Sequence, residues 1–396
     1  MGEKKKQASA YREPLILIAF VILGAIIGMV MGEKASFLYP IGQIWLNLLF
    51  VLLVPLLFFS ISSSIANISD TKSVGKLLGF TLVIFVVTAA IAGSFMFVVL
   101  GIFGVDTSVQ LGAGDATAQA AASSIGDQIV NTFTVGDFPD VISRGHILAL
   151  IVFTVIFSIA IIQTGEKGKP IVEAMDRLTA AIVNVINIVM KLAPLGLGCY
   201  FAILIDSNGS DVIGPLSKAI VMYLFVIVAY YVVSQTVFAY IGGGMEGVRI
   251  WWATCVPSTL TALGTCSSAA TLPVNLQQAK KIGIPDEIAD LVIPLGANLH
   301  KDGACVIQII KVAFLCSVFH MEYATPRNIL MSILVAVIAS VVMGGIPAGG
   351  YVAEIFIISA FGFPTVAIPI MVLIGTITDA PATVVNVTGD TGLAMV

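Results

Sequence analysis

Residues 379–390, DAPATVVNVTGD, set Asp379, Thr383, Asn386 and Asp390 at i, i+4, i+7 and i+11 inside an apolar segment that runs from Ile368 toward the C-terminus. At 3.6 residues per turn these four share one helix face, a polar stripe on a helix of membrane length. A carboxylate at bilayer depth is costly unless it meets a protein interior, an ion or a polar ligand, so two on one face point to a binding site. The plainer alternative is a stripe that glues helices together, a task usually given to Ser, Thr or Asn rather than to paired acids.

Composition sets the environment. The chain of 396 residues is 58% hydrophobic and 11% charged, with a mean hydropathy of +1.04, which marks a polytopic membrane protein. A net charge of -4, spread over loops, offers nucleic acid no basic surface. Cys199, Cys255, Cys266, Cys305 and Cys316 lie in apolar runs without CxxC or Cys/His spacing and read as small core residues. An enzyme is not expected, because no Ser/His/Asp, metal or nucleotide motif is visible, and GGIPAGG at 344–350 does not fit a phosphate-binding loop. The basic N-terminal stretch MGEKKKQASAYREP reads as an uncleaved cytoplasmic tail rather than a signal peptide.

Apolar runs predict crossings at 14–32, 41–67, 75–105, 146–164, 172–205 and 212–242. Lys4, Lys5, Lys6, Lys72, Lys76, Lys167, Lys169 and Arg249 fall in alternate connections, whereas 106–143 and 206–211 carry no Lys or Arg. This alternation supports six crossings and a cytoplasmic N-terminus. Beyond Gly244 the apolar segments are interrupted: 247–281 by TCSSAATLP (265–273), 286–319 by GANLHKDGA (296–304) and 328–363 by GGIPAGG. The first segment begins near Arg249 and ends at Lys280 and Lys281, so it enters and leaves on one side, as a re-entrant hairpin does. A hairpin followed by a broken span occurs twice, and repeated interruptions of this kind point to a transporter site at mid-membrane.

The stretches TCSSAATLP, PLGANLHKDGA (294–304) and DAPATVVNVTGD resemble the signature segments of the dicarboxylate/amino acid:cation symporter family, which includes glutamate, aspartate and neutral amino acid transporters. This chain is similar to a divergent prokaryotic-type member along nearly its whole length, in span order. The resemblance implies an all-α polytopic membrane protein with eight transmembrane helices plus two re-entrant helical hairpins in inverted repeats, assembled as a homotrimer and working as an elevator. It divides the chain into a cytoplasmic tail (1–13), scaffold spans one and two (14–72), transport-domain span three (73–105), an extracellular loop with scaffold spans four and five (106–205) and span six (206–246). Hairpin one (247–281), broken span seven (282–322), hairpin two (323–365) and span eight (366–396) complete the transport domain.

The resemblance also assigns residues. It implies Asp379 for a substrate α-ammonium, Asn386 for the α-carboxylate, and Ser267 and Ser268 at the first hairpin tip for that same carboxylate. Ala382, Thr383, Ile346 and Gly349 complete the substrate set. Members that take acidic substrates carry an Arg where this chain has Ala382 or Cys266; without a guanidinium to grip a second carboxylate, a small neutral amino acid is the expected substrate. The implied cation ligands are Gly296, Asn386, Asp390, Asp302 and Thr88. Where the family shows Asn-Met-Asp-Gly-Thr, this chain reads His300-Lys301-Asp302-Gly303-Ala304, and Phe85, Thr88 and Ala89 stand for a Tyr, Thr and Ser.

Lys301 is accordingly expected to act as a tethered cation beside Asp302 in place of coupled sodium, the alternative being a static ion pair. His300 with Lys311 or Glu354 is a candidate proton relay. Gly344, Gly345, Pro347, Gly349 and Gly350 are expected to gate the site from outside, and Trp251 and Trp252 to anchor the cytoplasmic interface. The partners implied are an amino acid, Na+ or H+, the lipid bilayer of the cell membrane and further copies of the chain, with no cofactor besides the coupling ion. Two other readings stay open: a carrier of mono- or dicarboxylates without an amino group, and an anion channel, though charged rings suited to a pore are not visible.

Overall fold

The computed structural model describes residues 2–68, 75–104, 130, 133–143, 146–208, 213–319, 321–343, 349–364 and 367–396; these are built of helices and turns, with no strand among the described residues. Helices α1 (Gly2–Met31) and α2 (Tyr39–Ile68) are joined by a 3-10 segment, Gly32–Leu38. Then follow α3 (Gly75–Phe103), a single turn α4 (Phe138–Val141), α5 (Ile147–Gln163), α6 (Lys169–Met190) and α7 (Ala193–Asn208). Most of the predicted loop 106–143 lies outside the described residues. Leu15–Ser63, Gly79–Phe103, Gly214–Thr254 and Ile368–Met395 are long and apolar enough to cross a membrane.

Where span five was predicted as one run over 172–205, Gly165–Met190 and Ala193–Ile203 meet at a bend of 55°. The reason is local: Pro194 has no N–H to continue a helix but fits the first turn of a new one.

Helix α8 (Ile213–Thr254) leaves helical geometry at Gly243 and Gly244, the latter at φ 59. The chain doubles back there. Trp252 Nε1 donates to Thr236 Oγ1 at 3.1 Å, and the Tyr231 and Thr259 hydroxyls meet at 2.8 Å, contacts only an antiparallel return makes. Trp251 is fully buried, edge-on to Trp252 at 4.8 Å. The expected interfacial anchor is thus a packed aromatic corner, because the reversal brings Tyr231 over both indoles.

The first hairpin follows as α9 (Val256–Thr265) and α10 (Ser268–Ile282), turning at Cys266, whose φ of 48 is left-handed. The broken span is α11 (Asp286–Leu299) and α12 (Asp302–Val318), with extended backbone at His300 between them. Of the second hairpin, α13 (Pro326–Met343) and α14 (Gly349–Phe361) are described; Gly344, Gly345, Ile346 and Pro347 lie outside the described residues. The final helix, α15 (Ile368–Met395), is continuous through Pro381. A second broken span is therefore not formed: residues 368–395 make one helix despite Pro381, and packing on the helices around it offsets the bond that the proline removes.

Two groups of helices pack mainly among themselves. In one, α1 lies along α7, and α2 lies against α5, α6 and α7; in the other, α15 is surrounded by α8, α9, α10, α11, α12 and α14, and α12 also packs on α3 and α13. The α1–α7 seam rests on small residues: a Cβ at Gly24 would strike the Gly198 carbonyl, and one at Gly28 the Ala202 carbonyl. Such small-residue spacing lets two backbones approach within a bilayer.

Gly28→Leu should therefore lower the unfolding temperature in detergent, since overpacking a tight contact costs about 1–3 kcal/mol. Gly101→Leu, where an added Cβ meets nothing within 4 Å, should leave it unchanged or raised.

Candidate functional site

The site is built where three elements from two chain breaks meet the polar face of α15. The first is the hairpin tip. Ser267 caps α10 by accepting from Ala270 N–H at 3.2 Å, which leaves the half-buried Ser268 hydroxyl free to face the second break at His300 and Lys301. There Lys301 Nζ donates to Ser268 Oγ at 3.1 Å and to the Ala297 carbonyl at 2.7 Å. The ammonium thus closes the C-terminal end of α11, where a cation complements the helix dipole. Lys301 does not pair with Asp302, as the residue order suggested.

His300 takes that place. Its Nε2 lies 3.2 Å from Asp302 Oδ1, a close charge contact rather than an aligned hydrogen bond. Its Nδ1 lies 3.0 Å from Asp390 Oδ1 and 3.2 Å from the Asn386 carbonyl. One imidazole therefore stands between two carboxylates, with all three side chains no more than 1% exposed. Glycines make the room: a Cβ at Gly389 would strike the imidazole, and one at Gly296 the Asp390 carboxylate. Phe85 of α3 covers the ring at 5.2 Å between centroids.

The third element is the N-terminus of α12. Asn386 Oδ1 accepts from Gly303 N–H at 2.8 Å and from Ala304 N–H at 3.3 Å, satisfying donors that a helix start leaves open. With its oxygen engaged, the amide retains Nδ2 as a donor toward a carboxylate. Gly303 in turn lies against Ala382, where a Cβ would meet its carbonyl at 2.5 Å. Asn275 Nδ2 ties α10 to α15 through the Val387 carbonyl at 2.6 Å.

Asp379 stands apart. It is exposed and makes no hydrogen bond or ion pair with another described residue, while Lys311, Glu354 and Lys301 lie within electrostatic range. Thr383, one turn on, is buried. Glu354 does not reach His300; its Oε1 pairs with Lys311 Nζ at 2.6 Å, so the expected relay is not assembled. Gly349 opens α14, and Ile346 lies outside the described residues.

Among the implied sodium ligands Asn386 Oδ1 has both lone pairs engaged, whereas the Gly296 carbonyl and the Thr88 hydroxyl keep lone pairs for a cation. Gly296 O accepts from His300 N–H at 2.9 Å, the Thr88 hydroxyl donates to Phe85 O at 3.2 Å, and Asn386 Oδ1 caps α12. Asp390 Oδ2 remains buried without a partner among the described residues, an oxygen that a cation would satisfy. No cluster of three or more His, Cys, Asp or Glu side chains suited to a metal ion occurs among the described residues.

Two tyrosines belong to this site beyond the sequence expectations. Tyr230 donates to Asp302 Oδ2 at 2.8 Å. Tyr223, fully buried with its hydroxyl unpartnered among the described residues, lies within electrostatic range of Asp379. Their i, i+7 spacing on one face of span six is the signal that marks them. A separate cleft, bounded by Phe80, Ile84, Phe85, Glu246, Pro285 and Met395, holds none of the residues assigned to substrate.

The sodium:dicarboxylate symporter family matches residues 14–396. The proton/sodium-glutamate symport protein of Bacillus caldotenax is 27% identical over 402 residues, covering 95% of this chain and 92% of that protein. The C4-dicarboxylate transport protein of Bacillus subtilis (strain 168) is 27% identical over 363 residues, 87% of this chain and 82% of its own. That of Pseudomonas syringae pv. tomato (strain ATCC BAA-871 / DC3000) is 26% identical over 376 residues, 92% and 81%. Matched from its first apolar span to its last residue, this multi-pass membrane transporter belongs to the sodium:dicarboxylate symporter family.

Proposed function

We propose that this protein carries small neutral amino acids across the cell membrane, with its N-terminus cytoplasmic, as a homotrimeric elevator coupled to fewer sodium ions than the full ligand set implied by the resemblance would hold, or to protons. The observation that carries the substrate reading is Asp379: an open carboxylate without a partner among the described residues, on the same face as Asn386. A substrate ammonium satisfies Asp379, and a substrate carboxylate meets the Ser268 hydroxyl and the Asn386 Nδ2 amide, donors suited to an anion. The relatives' names report glutamate and C4-dicarboxylates, each with a second carboxylate. Here Ala382 and Cys266 supply no cation for it.

A carboxylate without an amino group would suit the site better if a lysine already neutralised Asp379. Against that, Lys301 is held by Ser268 and Ala297. The grouping of α1, α2 and α5–α7 apart from α3 and α8–α15 supports movement of the second group against the first. In the coupling role, His300 fills the space between Asp302 and Asp390, and Lys301 places an ammonium beside it. The carboxylates that would hold sodium thus have a resident partner.

Asp379→Asn should weaken binding of alanine or serine by roughly 30-fold or more, measured calorimetrically, because losing one partner of a charge pair that the bound substrate closes off from water costs about 2–5 kcal/mol. An unchanged Kd would sink the ammonium role. In the wild type the sodium dependence of that binding should be no steeper than first order in sodium. The double variant His300→Asn/Lys301→Met should acquire a further sodium dependence of about tenfold or more, within the ordinary range of site-to-site coupling; a second-order or steeper dependence in the wild type would overturn the resident-partner reading.

A further inference from the structure

The Lys311–Glu354 pair packs against the face of α15 that carries Asp379. Gly375 lies four residues before Asp379 and seven before Ala382, so the three share a stripe. A Cβ at Gly375 would strike Glu354 Oε1 and lie 3.0 Å from Lys311 Nζ. At the other end of the stripe Gly303 abuts Ala382, so α12 runs antiparallel along α15 and its two contacts bracket Asp379. Lys311 and Glu354 are 1% and 2% exposed, and Glu354 Oε2 is buried without a partner among the described residues.

We propose that Lys311 and Glu354 form the specificity subsite for the far end of the substrate, in which the Glu354 carboxylate occupies Lys311 as the second carboxylate of an acidic substrate otherwise would. This rests on the reading of Asp379 as the ammonium site. Lys311 Nζ lies 3.0 Å from the position of a Cβ on Gly375, one helical turn before Asp379, and on its own it would attract a distal carboxylate. Masked by Glu354 at 2.6 Å, it offers no free charge, and the unpaired Oε2 repels a second anion. The subsite therefore accepts short uncharged side chains and rejects glutamate, aspartate and C4-dicarboxylates. The pair joins α12 to the returning arm of the second hairpin, so the selection is made where α14 closes on α15.

The test is competition in proteoliposomes loaded for uptake of radiolabelled alanine or serine, with glutamate and succinate as inhibitors. In Glu354→Gln, half-inhibition by either acid should fall by about tenfold or more relative to the wild type, as expected for one unmasked charge contact. In Lys311→Met/Glu354→Gln the acids should inhibit no better than in the wild type, each acid's affinity being taken relative to that variant's own affinity for alanine. Should Glu354→Gln fail to fold, Glu354→Asp, which withdraws the carboxylate by one methylene, should shift the same ratio less far. A ratio of acidic to neutral affinity that neither variant moves would overturn the subsite. A wild type that takes up succinate and no neutral amino acid would instead overturn the substrate reading, and the two failures are distinct.

Discussion

Two carboxylates, Asp302 and Asp390, lie in the interior of a membrane protein with almost no exposure, and most of the surrounding architecture follows from keeping them there. Unpaired, each would cost several kcal/mol even after relaxation. The chain answers with an imidazole between them, a tyrosine hydroxyl on Asp302 Oδ2 and glycines at 296 and 389 that let the groups close up. Such an arrangement needs the backbone to leave the helix at His300, since a regular helix would point successive side chains about 100° apart around its axis. The break between α11 and α12 is thus a requirement of the charges rather than a flaw in the span.

The same break creates two helix ends whose backbone groups need partners. The N-terminus of α12 is held by Asn386 from α15, and the C-terminus of α11 by the ammonium of Lys301, which also reaches the tip of the first hairpin. The hairpin, the broken span and α15 are therefore linked by hydrogen bonds as well as by packing. By contrast, the α1–α7 seam joins helices of the other group through close backbone approach at Gly24, Gly28 and Gly198. Tyr200 also bonds Gln43 at 2.7 Å between α7 and α2, so each group is held together internally, a suitable basis for one group moving against the other.

Much of this was legible in the residues. Polar or glycine-rich interruptions marked the turn at Cys266 and the break at His300, and the spacing of Asp379, Asn386 and Asp390 placed them on one face of α15. Partner choice was not legible. Helical periodicity gives no direction for side chains at a non-helical break, so Lys301 was read as the partner of Asp302 when His300 is. The Lys311–Glu354 pair joins residues 43 apart, a tertiary choice no local pattern encodes. The buried Trp251 and the bend after Met190 escape local periodicity: a glycine reversal folds one indole inward, and Lys191 and Pro194 together end one helix and start the next within a mostly apolar stretch.

The central claim is that the space between Asp302 and Asp390 is already occupied by a side chain of the protein, so that fewer sodium ions accompany each substrate. The most direct measurement is the number of sodium ions moved per substrate, from the accumulation of alanine or serine reached at equilibrium in proteoliposomes across a series of imposed sodium gradients. The account predicts a ratio of one or none. A ratio of two or more would show that sodium enters a position that His300 fills in this structure, and would contradict it.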